Sequence, residues 1–251
     1  MYSLAIGAIF KNESHCLKEW IEHYLFHGVQ HFYLIDDAST DSSCEVLQEY
    51  VTKGICTVYL ANWPRYLGRQ RHMYNHFVLP HFVKREMKWL YIADVDEFLW
   101  SPQSVHLPDV LRQCSALSQI QFRQYVFASN GHLVQPASVV RGFTKRWAEE
   151  VGTLKYIVNS DYEFTSLNVH FATYAREEDK EGTFLILDSS YFIVNHYMIQ
   201  SRAFWNDVKC TRGDGDEYRV RTFAEFDELD KNEVEDLRLV EQNSRMYLNT
   251  T

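Results

Sequence analysis

Apolar residues in the first hundred positions fall in short unbroken runs separated by amphipathic stretches. Ser3 to Phe10 (SLAIGAIF) is the first run, and Lys11-Asn12-Glu13-Ser14 breaks it. Leu17, Trp20, Ile21, Tyr24 and Leu25 then recur at helical spacing, with Gly28 placed to end the helix. His31 to Ile35 (HFYLI) predicts a second strand, running into Asp36-Asp37-Ala38-Ser39-Thr40-Asp41. A helix carrying Val46, Leu47, Tyr50 and Val51 stops at Gly54, and Ile55 to Leu60 (ICTVYL) predicts a third strand. Residues from about 66 to 84 predict a helix broken near Pro80, and Trp89–Ala93 a fourth strand. Strand and helix thus alternate three times, the pattern of a parallel α/β sheet with right-handed crossovers.

The second half has a different rhythm. Val105–Leu117 predicts a helix, and Gln119–Phe127 (QIQFRQYVF) alternates like a strand. Leu154–Val158, Leu167–Ala172 and Phe184–Val194 predict further strands between polar loops, and Phe204, Trp205 and Val208 a short helix after Ser201. The last thirty or so residues are acidic and predict helix, with Phe223, Phe226, Leu229, Val234, Leu237 and Val240 buried. No repeat or linker divides the chain. The expected organisation is one α/β domain over residues 1–215, with a nucleotide-binding half to about residue 100, and an acidic helical C-terminal appendage over 216–251.

The fourth apolar run ends in Asp94-Val95-Asp96-Glu97. Alternate side chains of a strand share a face, so Asp94 and Asp96 project together if the extended geometry persists. Two hard oxygen donors suit Mg²⁺ or Mn²⁺. Open parallel sheets bind ligands at this C-terminal edge. A solvated strand end or a helix cap is the alternative.

Composition narrows the setting. The 251 residues are 46% hydrophobic and 15% aromatic, which indicates a globular chain. A net charge of −9 with no basic stripe argues against nucleic acid as a partner and against broad attraction to anionic membranes. Five scattered cysteines without a Cys-x-x-Cys suggest reduced thiols. No signal peptide and no run long enough to span a bilayer is present, so a complete chain of this kind is expected to be cytoplasmic. No Gly-x-Gly-x-x-Gly follows the first strand and no Walker A motif occurs, which disfavours dinucleotide oxidoreductases and P-loop NTPases.

Other residues carry two readings each. Asp36 and Asp37 can accept from a nucleobase or ribose, whereas Ser39 and Asp41 read as local caps. Arg65, Arg69, Gln70 and Arg71 around Gly68 could neutralise a diphosphate or form a solvated helix face. Lys145, Arg146 and Lys155 are equally ambiguous. His196, at the end of an apolar strand, could add a nitrogen to a metal held by Asp94 and Asp96, or simply be hydrogen-bonded. His170 has the same alternatives. The loop Arg212-Gly213-Asp214-Gly215-Asp216 is either a solvated turn or a lid over substrate.

Taken together, these residues resemble the type A fold glycosyltransferases, and within them family 92 and related family 2-like enzymes. The resemblance rests on Lys11-Asn12-Glu13, Glu19-Trp20, the looser His23 to Val29, Asp36 to Asp41, Asp94 to Phe98, His196-Tyr197-Met198-Ile199-Gln200-Ser201 and Lys209-Cys210-Thr211-Arg212-Gly213. Gln200 stands where the family has lysine. The resemblance implies a Rossmann-like fold with a mixed central sheet. It implies transfer of a sugar from a nucleotide sugar, UDP-linked by expectation, to a glycan or glycoprotein acceptor with inversion. Asp94, Asp96 and His196 would hold Mn²⁺ or Mg²⁺. Lys11, Asn12, Glu13, Asp36, Asp37, Arg69, Gln70, Asp94 and Lys155 would bind the donor. Asp161, then Glu150 and His170, are the candidate bases, and Phe127, Asn130 and Trp147 candidate acceptor contacts. The absence of an animal-type anchor and stem suggests a microbial or viral enzyme. A non-catalytic nucleotide or carbohydrate binder on the same fold, and a metal-dependent nucleotidyltransferase, are the alternatives.

Overall fold

The computed structural model describes residues 1–186, 190–213, 215–216 and 219–248. The first half alternates as expected. Strand β1 (Tyr2–Phe10) leads into helix α1 (Ser14–Phe26), β2 (His31–Asp36), α2 (Ser43–Thr52) and β3 (Cys56–Leu60). The expected helix over 66–84 is two helices, α3 (Arg69–Phe77) and α4 (Leu79–Val83). Pro80 lies in the first turn of α4, where its missing N–H costs nothing, so it starts a helix rather than interrupting one. Strand β4 (Met87–Asp94) and the short β5 (Glu97–Trp100) follow. Every residue of β2 is buried, as a strand covered on both faces requires.

The second half folds back on the first. It comprises α5 (Leu107–Gln113), β6 (Gln119–Val126), α6 (Val139–Gly142), β7 (Lys145–Arg146) and β8 (Val151–Asn159). Next come β9 (Phe164–Leu167), β10 (Ala172–Tyr174), β11 (Thr183–Ile186) and β12 (Ile193–His196). Two of the expected strands are not single strands in the fold. Leu167–Ala172 is a turn between two antiparallel strands, closed by the Asn168 N–H donating to the Phe171 carbonyl at 2.9 Å. The polar Asn168 and His170 interrupt what looked like one run. Phe184–Val194 is likewise two strands, β11 and β12, each pairing with β6; residues 187–189 within it lie outside the described residues.

The main sheet runs β3-β2-β1-β4-β8-β6-β12-β5, with β11 also on β6. Strands β3, β2, β1 and β4 are mutually parallel, β8 is antiparallel to both β4 and β6, and β12 is antiparallel to β5. The result is the expected Rossmann-like half extended into a mixed sheet. One core layer, including Leu17, Trp20, Tyr24 and Leu47, packs α1 and α2 on one face. Another, including Met73, Tyr74 and Phe82, packs α3 and α4 on the other.

Beyond β12 the chain forms α7 (Arg202–Phe204), a π-helical turn over Trp205–Lys209, and α8 (Cys210–Arg212). The acidic end consists of α9 (Phe223–Leu229), β13 (Val234–Glu235), α10 (Arg238–Gln242) and α11 (Ser244–Leu248). Its helices are shorter than the sequence pattern suggests, and β13 pairs with β7. Phe226 is buried as expected, but Leu237 is 42% exposed, and it is Leu239 that enters the main core. Among the described residues no helix is long and apolar enough to cross a membrane.

Candidate active site

The register of the parallel strands brings the acidic residues together. On β1, Phe10 lies opposite Asp36 and Ile9 opposite Asp94, so both strand ends finish on one edge. The turn from Asp94 to Glu97 is fixed from beneath by α1. The Trp20 Nε1–H and the Tyr24 hydroxyl both donate to the Glu97 carbonyl at 2.9 Å. The Tyr197 N–H donates to the Asp96 carbonyl at 2.7 Å, which joins β12 to the same turn.

Each aspartate has a lysine. Lys155, from β8, lies 2.9 Å from Asp94 Oδ2 and 3.0 Å from Glu97 Oε2. Lys209, from the π-helical turn, lies 2.9 Å from Asp96 Oδ2, while His196 Nε2 is 3.3 Å from Asp96 Oδ1. Burial alone would raise both aspartyl pKa values. The Lys155 ammonium overrides this at Asp94, and Lys209 with His196 holds Asp96 well below the usual carboxylate range. Glu97 is deeper, and burial prevails there: its carboxyl is pushed up to about 7 despite Lys155. Burial lowers and Asp96 raises the His196 imidazolium pKa, and the raising effect wins.

Asp94, Asp96, His196 and Lys209 line a cavity of about 520 Å³, which also takes in Lys11, Glu13, Asp37, Gln70, His170 and Arg212. Asp37 is clamped by both terminal nitrogens of the buried Arg69, one at 3.1 Å, and the Lys11 ammonium donates to the Asp37 carbonyl at 2.9 Å. Arg212 pairs with Glu13 and donates to the Lys11 carbonyl at 2.8 Å. Gly215 and Asp216 close over α3: the Asp216 carboxylate accepts from the Gly68 N–H at 3.0 Å and the Gln70 N–H at 2.8 Å. Asp214 of the same loop lies outside the described residues.

Asp36 and Asn12, by contrast, hold the loops themselves. Asp36 Oδ1 accepts from the Ser39 N–H at 2.8 Å, and its other oxygen faces the Cys44 thiol at 3.4 Å. Asn12 sits at φ +56°, with its side-chain oxygen accepting from the Thr40 N–H at 2.7 Å. Ser39 and Asp41 accept from the Asn12 and Ser14 N–H groups, each at 3.0 Å. This lacing explains why Lys11-Asn12-Glu13 and Asp36 to Asp41 go together: each loop caps the other.

Of the three candidate bases, the structure brings one to the cavity. Asp161 follows β8, which runs antiparallel to β4 with Asn159 opposite Trp89. It therefore stands at the far edge of the sheet, ion-paired with Lys88, roughly 20 Å along the strand from Asp94. Asp161 is corrected as a base on that ground. Glu150, in the loop before β8, is not among the residues lining the cavity. His170 lines it, with Nδ1 3.1 Å from the Leu154 carbonyl. Phe127 is 1% exposed, Asn130 is bonded to Thr144 and Lys145, and the Trp147 indole Nε1–H donates to the Leu229 carbonyl at 2.7 Å, so these three read as structural. Arg146 binds Asp236, away from the site.

The expected metal can be tested against these donors. Carboxylate and imidazole are appropriate ligands for Mn²⁺ or Mg²⁺. The 3.3 Å between Asp96 Oδ1 and His196 Nε2 is close to the separation of adjacent ligands on one ion, roughly 3 Å. Asp94 is turned to Lys155. Among the described residues the trio of potential ligands whose donor atoms all fall within 4.8 Å is Glu13, His15 and Cys16. Asp94, Asp96 and His196 are not such a trio as they stand; they fit a divalent cation in their chemistry and, at Asp96 and His196, in their spacing. Lys209 and Glu97 stand inside the quoted motifs without a role that the sequence discloses, and Arg212 reads there only as part of a turn or lid. The contact of Lys209 with Asp96 joins residues 113 positions apart.

A rice (Oryza sativa subsp. japonica) glycosyltransferase family 92 protein is 28% identical over 212 residues, covering 82% of this chain and 35% of its own length. An Arabidopsis thaliana galactan β-1,4-galactosyltransferase is 26% identical over 121 residues, 45% of this chain and 23% of its own. This chain therefore spans about a third or less of either relative. Among solved structures, S. aureus TarS 1–349 in complex with UDP aligns with a TM-score of 0.47 at 12% identity, covering 77% of this chain and 60% of that one. The family model described as glycosyltransferase family 92 matches residues 2–237, nearly the whole length, and the chain belongs to that family.

Proposed function

We propose that this protein transfers a sugar from a nucleoside diphosphate sugar, UDP-linked in the first instance, to a hydroxyl of a glycan acceptor, with inversion. The observation that carries the reading is one cavity of about 520 Å³ in which Asp94 and Asp96 face Lys11, Lys209 and Arg212. That pairing of a cation-binding carboxylate set with several fixed positive groups suits a diphosphate. Family membership and the galactosyltransferase relative support sugar transfer.

Diphosphate leaves poorly until its charge is neutralised. Asp96 and His196, with Asp94, would hold a divalent cation, which would supply Lewis-acid stabilisation of the leaving group. Lys11 and Arg212 supply donors on the cavity wall for the same oxygens. Asp37, held rigid by Arg69, offers carboxylate oxygens at the end next to Gln70, where a nucleobase N–H or a ribose hydroxyl would bind. His170 is the base. Its Nδ1–H donates to the Leu154 carbonyl, which leaves the Nε2 lone pair to take the acceptor's proton as the hydroxyl oxygen attacks the anomeric carbon and the diphosphate departs.

Calorimetric titration of UDP, with and without Mn²⁺, into wild type and Asp96→Ala tests this reading. Binding that requires both Mn²⁺ and Asp96 is expected. No UDP binding to wild type in either condition would sink the UDP assignment and direct the same titration to GDP and dTDP. Incubation with a UDP-sugar should then release UDP; release of UMP would indicate nucleotidyl transfer instead.

A further inference from the structure

Asp96 is buried, with its side chain 7% exposed, and both of its oxygens already have nitrogen partners. Lys209 Nζ sits 2.9 Å from Oδ2 and His196 Nε2 sits 3.3 Å from Oδ1. A divalent cation on that carboxylate would stand within a few ångströms of the Lys209 ammonium. Two like charges so close repel strongly in a partly buried site. We propose that Lys209 is the resident counterion of Asp96 and competes with the divalent cation for it. The diphosphate then relieves the competition by giving the displaced ammonium a new partner.

The segment is built for such a move. Lys209 closes the π-helical turn Trp205–Lys209, a geometry that recurs at functional sites because it re-aims one side chain within a helix. Trp205 anchors the turn: it is fully buried, and its Nε1–H donates to the Thr222 carbonyl at 2.9 Å. Three residues on, Arg212 is pinned to Glu13 in the same way. One short segment therefore delivers two cations, each to a cavity carboxylate. The lysine ends a flexible four-carbon stem, so its ammonium can leave Asp96 without moving the backbone. Metal and nucleotide would consequently bind with positive coupling, Lys209 being the group through which each senses the other.

This inference rests on the proposed role of Asp96 as a metal ligand, and its test separates the two. Mn²⁺ is titrated without nucleotide into wild type, Lys209→Gln and Lys209→Arg. Lys209→Gln should bind Mn²⁺ about fivefold or more tightly than wild type, with Lys209→Arg near wild type. At saturating Mn²⁺, Lys209→Gln should bind UDP about tenfold more weakly, the size of one lost charged hydrogen bond. Unchanged or weaker Mn²⁺ binding by Lys209→Gln overturns the proposal, as does no Mn²⁺ binding by either protein. If UDP fails to bind wild type while the Mn²⁺ difference is present, the donor reading falls and the competition stands. Should Lys209→Gln not fold, reductive methylation of wild type quantified at Lys209 gives the answer. Labelling should rise with Mn²⁺ alone and fall again when UDP is added, and labelling indifferent to Mn²⁺ overturns the proposal.

Discussion

His170 occupies the turn between two short strands, and its surroundings set how it should titrate. Burial lowers its pKa first, the Lys155 ammonium lowers it further, and His196 adds to this; the Leu154 carbonyl and Asp94 oppose. The net shift is downward, so the ring is neutral at physiological pH and able to accept a proton. Acceptor turnover should therefore fall as pH drops through a value below 6.5 and be flat above it. His170→Ala should lose about 10²–10⁴-fold in kcat and that acidic limb, while UDP affinity stays at the wild-type value. Full turnover by the variant would remove His170 from the chemistry. Asp94 and Asp96 were legible in the chain because a buried apolar run ending in carboxylates marks a sheet edge by itself. The base was not. Asp161 and His170 are nine positions apart, and only the folding decides their places: β8 carries the chain to the opposite edge at Asp161, and β9 brings it back to the turn in which His170 lines the cavity. Lys209 was hidden for the same reason, since its partner is set by tertiary folding alone.

At the scale of elements, α1 does more than cover the sheet. Its apolar face buries Leu17, Trp20, Ile21 and Tyr24, which the 3.6-residue spacing forecast. Glu19, on the neighbouring face, accepts from the Ser138 hydroxyl and the Val139 N–H, both at 2.6 Å, and from the Val140 N–H at 3.3 Å. A carboxylate from one helix thus caps the start of α6, which is a single turn too short to be stable alone. Glu19→Ala should cost about 1–2 kcal/mol in urea denaturation, as loss of a helix cap does, with Glu19→Gln recovering part of it. A change below about 0.5 kcal/mol would show that the cap contributes little. The Glu19-Trp20 pair is accordingly structural on both sides: Glu19 holds α6 and Trp20 holds the Asp94–Glu97 turn. Elements of eight or more residues were readable from their period. The second half was less so, because β7, β10 and β13 span two or three residues and no periodicity exists over such lengths. Their positions come from pairing partners far away in sequence.

For the molecule as a whole, the acidic C-terminal stretch is tied to α1 through a buried polar chain. His23 Nε2 lies 2.9 Å from the Leu99 carbonyl, and its Nδ1 accepts from Asn243 Nδ2 at 3.0 Å. The Asn243 oxygen lies 2.8 Å from His27 Nε2, and His27 Nδ1 is 2.8 Å from the Val105 carbonyl. All three side chains are fully buried. Burial penalises protonation and at His27 outweighs the Asn243 and Val105 oxygens, which favour the protonated ring: His23 is lowered well below the ordinary histidine value, and His27 from 6.5 to about 4. Between those two values the unfolded chain binds more protons at His27 than the folded one does. Stability then rises with pH, is complete above 6.5, and is lost as pH falls toward 4. Across that window His27 alone accounts for about 3 kcal/mol, a large share of what a domain of this kind possesses. Denaturant unfolding at pH 7.5, 6.0 and 5.0 should show a decreasing midpoint. His27→Gln should be less stable than wild type at pH 7.5 and show a shallower decline toward pH 5, since one of the groups that must charge has gone. Parallel declines in the two proteins would mean that His27 does not titrate on unfolding and that acid sensitivity arises elsewhere. A shallower decline would place the acid-labile joint where helix α1 meets α10, so that mild acid loosens the C-terminal stretch from the core.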